Sequence, residues 1–145
     1  MRLYLDADKA IDDLAKKLAR LETGAKAAIK DMLIAGSDVM IDGLKRGAAE
    51  YGHGPPGKSG RATGGMIESI RRKSAPKVTE DGGEVIVTFV GTDERGERYG
   101  EIAAILNYGS STIPADHWID NTVEMVKPLA EQAEAQALDR HLKGE

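Results

Sequence analysis

The chain has 145 residues, 41% hydrophobic and 30% charged, which is typical of one soluble globular domain, residues 1–145. It contains no cysteine, which excludes disulfides, thiolate metal sites and cysteine nucleophiles. Its apolar runs fall short of the roughly 18 residues that span a bilayer, and its acidic N-terminal residues do not match a secretory signal. We therefore expect no membrane association.

The net charge of −4 is unevenly distributed along the chain. Residues 51–78 carry six basic side chains and one acidic side chain, whereas residues 79–145 carry five basic and fourteen acidic ones. A basic segment in an otherwise acidic chain indicates contact with an anionic partner. That partner is either nucleic acid or the acidic surface of a neighbouring subunit.

Two helices are predicted at the N-terminus. The first, over about residues 6–22, follows from apolar residues at three- and four-residue steps, namely Ile11, Leu14, Leu18 and Leu21. The second runs over about residues 25–50 and has Gly36, Gly43 and Gly47 on one stripe. Because each glycine costs a helix about 1 kcal/mol relative to alanine, this stripe indicates either the close approach of another backbone or local looseness.

A long polar loop, about residues 52–65, follows the second helix. Its stretch "GHGPPGKSG" matches the P-loop pattern G-x-x-x-x-G-K-[ST], which cradles phosphates between a strand and a helix. Here a predicted helix precedes the pattern, and Pro55 and Pro56 remove two of the N–H donors that a phosphate would need. We therefore predict a flexible connector, and a P-loop-type nucleotide binder remains a minor alternative.

The rest of the chain alternates between strand and helix patterns. "TGGMIESIRRK" predicts a short helix, and "KVTEDGGEVIVTFVGTD" predicts a β-hairpin that turns at Asp81-Gly82-Gly83. "EIAAILNYG" fits either a strand or a short helix. A C-terminal helix is predicted to start at the N-cap Asp116 and to kink or break at Pro128.

These patterns predict an α+β fold with two N-terminal helices, a small mostly antiparallel β-sheet and a C-terminal helix packed on the sheet. Candidate chemistry is sparse. The three histidines, His53, His117 and His141, are not at metal-ligand spacing, and no catalytic constellation, metal site or cofactor motif is evident. We therefore expect a protein that is not an enzyme.

Two stretches carry a resemblance to a known family. "RATGGMIESIRRK" (61–73) resembles a "TG-x-L-x-x-SI" segment, and "ILNYGSSTIPADHWIDNTVE" (105–124) resembles "E-[YF]-G-T…P-A-x-P-F-L-x-P-A". Both segments are found in the tail-completion or head–tail joining proteins of long-tailed phages. The matching positions of the second stretch are Tyr108, Gly109, Ser110, Pro114, Ala115, Trp118 and Ile119. The chain departs from the usual family residues at four positions, with Asn107 for Glu, Ser110 for Thr, His117 for Pro and Trp118 for Phe.

The resemblance implies a non-enzymatic virion assembly protein, made in the bacterial host cytoplasm, that acts at the head-proximal end of the tail or at the neck. Its partners would be further copies of itself in a ring and neighbouring neck or tail proteins, with non-specific contact to packaged DNA and no small-molecule substrate. The interface candidates are Lys58, Arg61, Arg71, Arg72, Lys73, Tyr108, Gly109, Pro114 and Trp118.

The sequence leaves two alternatives, one for the role of Trp118 and one for the function of the basic segment. Trp118, the only tryptophan, is either a core anchor or an intersubunit contact. The basic segment 58–77 gives an alternative function, a nucleic-acid-binding accessory protein that uses Arg61, Arg71, Arg72 and Lys73. A solvated helix end is the simpler explanation of these basic residues.

Overall fold

The computed structural model describes residues 2–6, 23–55, 64–79 and 82–144, which contain four strands and four helices. The strands are β1 (Arg2–Asp6), β2 (Ile70–Arg72), β3 (Lys77–Thr79) and β4 (Gly82–Phe89). The helices are α1 (Thr23–Glu50), α2 (Gly65–Glu68), α3 (Tyr99–Tyr108) and α4 (Trp118–Leu142). A small antiparallel sheet combined with two long helices confirms the α+β class.

Strand β4 lies at the centre of the sheet and pairs antiparallel with the other three strands. All five residues of β1 pair with one edge of β4. β2 and β3 share the other edge, where β2 pairs with the C-terminal end of β4 and β3 with its N-terminal end. Side chains alternate along β4, so Val85, Val87 and Phe89 are buried in the core.

The predicted pairing of the two hairpin strands is confirmed, but two of the three residues predicted for the turn belong to β4. Thr79 pairs with Gly82, so Gly82 and Gly83 belong to β4, and the two residues between the strands lie outside the described ranges. A Cβ at Gly83 would lie 2.7 Å from Cδ1 of Leu33 on α1. A side chain at this position would displace Leu33, because the helix packs directly against the strand.

Helices α1 and α4 pack antiparallel along a glycine-containing face of α1. A Cβ at Gly43 would lie 2.5 Å from Cγ2 of Val126, and a Cβ at Gly47 would overlap the side chain of Thr122. Helix α4 thus packs closely against these two glycines, although the nearest atoms belong to its side chains and not to the backbone that the glycine stripe predicted.

Several predicted boundaries need correction. The predicted first helix, about 6–22, lies outside the described residues except for Asp6, which ends β1. The "TGGMIESIRRK" helix is wrong beyond Gly65–Glu68, because Ile70–Arg72 form β2. Ile70 pairs with Phe89 and both side chains are buried, so this contact between distant residues overrides the local helical pattern.

The two remaining predictions concern the C-terminal half. The ambiguous "EIAAILNYG" stretch is helical and forms most of α3. Of the kink or break predicted at Pro128, the break is wrong, since α4 continues through this residue without interruption. Pro128 is exposed, while Val126 and Ala130 on either side of it are buried, and this packing compensates for the missing backbone hydrogen bond.

Candidate functional site

The junction between α3 and α4 is built around a fully buried asparagine. Oδ1 of Asn107 accepts hydrogen bonds from the backbone N–H groups of Ile119 at 2.9 Å and Asp120 at 3.2 Å. Its Nδ2 donates to the Asp120 carboxylate at 3.1 Å. Asn107 thus satisfies the free N–H groups in the first turn of α4 from the last turn of α3. The side-chain amide of Asn107 thus has a structural role, at a position where the family that the sequence resembles often has Glu.

Asp116 joins the same junction to the segment after α1. Its Oδ1 accepts the N–H of Trp118 at 2.9 Å and so satisfies a free N–H of the first turn of α4. The predicted N-cap is wrong by one residue, because α4 begins at Trp118 and its N-cap position is His117. Its Oδ2 lies 2.6 Å from Nε2 of His53, which is 7% exposed. A second bond, from Nδ2 of Asn121 to the hydroxyl of Tyr51 at 3.0 Å, reinforces this attachment.

Trp118 lies inside the core at the first turn of α4. It is fully buried, and its indole makes edge-to-face contacts with Phe89 and with the His53 ring. Its Nε1–H donates to the carbonyl of Ala103 at 3.4 Å. Of the two roles considered from the sequence, the core anchor is the one that this burial fits, because Trp118 presents no surface to a neighbour.

The turn between α3 and α4 is held by its own hydrogen bonds. Gly109 has φ +84°, and a Cβ there would lie 2.8 Å from the Ala115 nitrogen, so the sharp turn requires glycine. Ser110 donates its N–H to the Ile113 carbonyl at 2.7 Å, and its Oγ accepts the N–H of Ile113 at 3.1 Å. Pro114 is exposed within this turn. The predicted residues Gly109 and Pro114 therefore shape the junction.

Three large apolar side chains are exposed on this ordered junction. Tyr108 is 62% exposed, and Ile105 and Ile113 are each 40% exposed. Ile105 and Tyr108 lie three residues apart and hence on one face of α3. We refer to Ile105, Tyr108 and Ile113 as the α3 patch. Only Tyr108 was a candidate from the sequence, because a ten-residue apolar helix does not reveal which of its faces is exposed.

The basic candidates divide into different environments. Arg72 forms an ion pair with Asp38 and donates to Oγ of Ser37 at 3.1 Å, so it ties β2 to α1. Arg71 and Lys73 are exposed, as is Lys77 on β3. Lys58 and Arg61 lie outside the described residues.

Arg71, Lys73 and Lys77 follow the outer edge of the sheet, and we refer to them as the basic edge. β2 and β3 hydrogen-bond to β4 on one side, and within the described ranges no strand pairs with their other side. A shallow cleft of about 80 Å³ lies where the chain passes from β2 to β3, lined by Lys73, Ser74, Ala75, Lys77, Glu84, Val85 and Ile86.

The loop predicted at 52–65 is anchored at both ends. His53 is buried against Asp116, and a Cβ at Gly64 would lie 3.3 Å from Cγ of Pro55, so the two ends of the loop lie side by side. Residues 56–63, which include the second half of the P-loop pattern, lie outside the described residues. The pattern follows the helix α1, whereas a phosphate-binding loop follows a strand.

Within the described ranges, no group of three or more histidine or carboxylate side chains could hold a metal ion. Every buried side-chain nitrogen and oxygen in those ranges has a hydrogen-bond partner. No helix there combines the length and the apolar character that crossing a bilayer requires. Comparisons with protein-family models, with curated proteins and with solved structures found no match.

Proposed function

We propose that this chain is a non-enzymatic virion assembly protein of a long-tailed phage. It acts at the head-proximal end of the tail or at the neck, and it does so as a ring-like homo-oligomer in contact with neighbouring neck or tail proteins. The observation that carries the proposal is the α3 patch, an exposed cluster of large apolar side chains on a junction held by its own hydrogen bonds.

Such a patch has the properties of a binding surface. Exposed apolar clusters on soluble proteins mark interaction sites, and tyrosine is enriched among the residues that dominate binding energy. The junction is fixed before binding by Asn107 and by the Ser110 turn, so little conformational entropy is lost on association. A small-molecule site would instead be concave and lined by convergent polar groups.

The position of the patch in the sequence supports the phage assignment. Tyr108 lies inside the segment 105–124 that resembles the tail-completion family, next to Gly109. Pro114, a third matching residue, belongs to the turn that supports Ile113. Tyr108 of the α3 patch and the turn residues Gly109, Ser110 and Pro114 are thus among the residues that carry the resemblance, whereas Trp118 and Ile119 are buried.

The proposal is tested on virions of the phage or prophage that carries the gene. Quantitative mass spectrometry of purified particles should find the chain in a small fixed number of copies, and labelling of a tagged copy should mark the head–tail junction. Deletion of the gene should leave separate heads and tails. Normal particles that lack the chain would contradict the proposal.

A second function, binding of nucleic acid, is favoured by the exposure of Arg71, Lys73 and Lys77 along one edge of the sheet. Contacts to phosphates weaken steeply with salt, so mobility shifts across a salt series measure them directly. Absence of a shift at low salt, together with an unchanged result for Arg71→Glu with Lys73→Glu, would remove this function.

A further inference from the structure

The two segments of the chain that hold the basic edge and the α3 patch carry charge of opposite sign. Residues 70–78 contain four basic side chains and no acidic one, whereas residues 99–126 contain four acidic side chains and no lysine or arginine. These two segments hold the basic edge and the α3 patch respectively. The chain therefore places a basic surface and an acidic, apolar surface on separate elements.

Contacts within the chain use only part of these charges. Arg72 is paired with Asp38, and Asp116 is held by His53. Arg71, Lys73 and Lys77 remain exposed on one side. On the other side the exposed carboxylates are Asp120, Glu124 and Glu101. Glu101 pairs with Arg98 at 2.6 Å, and Asp120 lies 3.4 Å from Nδ1 of His117 and accepts a hydrogen bond from Asn107. Glu101 precedes Ile105 by one helical turn on α3, so acidic charge lies on the same helix face as the α3 patch.

We infer that the α3 patch of one copy docks on the basic edge of the next copy, so that the chain assembles head to tail. This inference rests on the self-assembly proposed above and names the two surfaces that form the joint. A patch-to-patch contact would place acidic side chains opposite each other, and an edge-to-edge contact would do the same with basic ones. Only a contact between the α3 patch of one copy and the basic edge of another brings side chains of opposite charge together.

The cleft beside Lys73 gives this joint a place for an aromatic side chain. Its lining combines Lys73 and Lys77 with the half-buried Ile86 and with one exposed carboxylate, that of Glu84. A tyrosine that is 62% exposed, such as Tyr108, matches such walls by apolar contact and by cation–π attraction. Contact between two different surfaces repeats from copy to copy and closes into a ring when the rotation allows it.

The test uses two variants, each with one damaged surface. Tyr108→Lys places a cation opposite the basic edge, and Arg71→Glu with Lys73→Glu reverses the charge of that edge. Each alone should weaken self-association about tenfold or more, as measured by sedimentation velocity at low salt. An equimolar mixture should associate more strongly than either variant alone, because the unchanged patch of one variant meets the unchanged edge of the other, and the lysine at position 108 meets glutamates instead of a basic edge.

Matched controls separate these effects from a general change of charge. Leu142→Lys introduces the same charge at another exposed apolar position, and Lys127→Glu with Arg140→Glu reverses two exposed charges on α4. Both controls should assemble as the unchanged protein does. Circular dichroism melts establish that each variant is folded before it is compared.

Several results would overturn the inference. One is an edge variant that self-associates normally while the patch variant is monomeric, since that pattern shows a symmetric patch-to-patch contact. Another is an edge variant that loses only binding to DNA, which assigns the basic edge to nucleic acid. A third is an unchanged protein that stays monomeric at all accessible concentrations. Detection of the chain in virions is independent of these results, so failure of the joint and failure of the phage assignment are distinguishable.

Discussion

Nε2 of His53 lies 2.6 Å from Oδ2 of Asp116, and this contact joins the segment after α1 to the segment before α4. The same carboxylate accepts the N–H of Trp118 in the first turn of α4. One side chain therefore fixes both the start of the long loop and the start of the last helix. The junction that carries the α3 patch is held from two directions.

Two substitutions should separate the two contacts of Asp116, with the N–H of Trp118 and with the His53 ring. Asp116→Ala removes both the acceptor for this N–H and the partner of a buried histidine, and we expect it to lower the free energy of unfolding by about 2 kcal/mol. Asp116→Asn keeps an acceptor for the N–H of Trp118 and should cost less than half as much. Urea unfolding measures both, and equal losses would show that the contact with Trp118 does not contribute.

Asn107 should be among the most sensitive polar positions. It is fully buried and makes three hydrogen bonds to the first turn of α4, so Asn107→Ala should cost about 1–3 kcal/mol. Asn121→Ala is the matched control, because Asn121 is exposed and makes one side-chain bond, to Tyr51. A loss for Asn107→Ala no larger than that of the control would contradict the capping role.

Gly43→Ala should destabilise the protein, although the same change at an exposed helical position usually stabilises it by about 0.4–1 kcal/mol. The new Cβ would meet Val126 at 2.5 Å, and Val126→Ala in the same chain should recover part of the loss by removing the overlapping methyl groups. Gly24→Ala, at an exposed site in α1, is the control. Thermal melts of these three variants and of the unchanged protein show whether each substitution raises or lowers stability.

Substitution of Trp118 and of Tyr108, the two aromatic residues of the segment 105–124, should have very different effects on the free energy of unfolding. Trp118→Ala leaves a large cavity beside Phe89 and should cost about 3–5 kcal/mol, enough to unfold a protein of ordinary stability. Tyr108→Ala should change the free energy of unfolding by less than about 0.5 kcal/mol, because Tyr108 is exposed. A large stability loss for Tyr108→Ala would show that the α3 patch is structural.

The parts of the fold that the sequence predicted correctly are those with a long local pattern. α1, β4 and α4 extend over enough residues for the period to be read, and the three-residue strand β3 was predicted through the turn residues that follow it. The parts that it missed depend on contacts between distant residues. β1 is a five-residue strand whose partner lies some eighty residues away in the chain, and β2 was hidden inside a helix-like stretch.

The candidate site was predictable only in part, for the same reason. Tyr108, Gly109 and Pro114 stood out through the resemblance, but nothing local shows that Asn107 caps a helix that begins eleven residues later. Ile105 and Ile113 look like core residues in the sequence and are exposed in the fold. Arg72 looked like a surface contact, and its ion pair with Asp38 became evident only when β2 was placed against α1.

Complementation of a phage that lacks this gene tests the central claim most directly, since it combines the assembly function with the α3 patch. The unchanged gene and the Leu142→Lys control should restore infectious titre. Tyr108→Lys, at equal soluble level, should fail and leave separate heads and tails. Full restoration of titre by Tyr108→Lys would contradict the account.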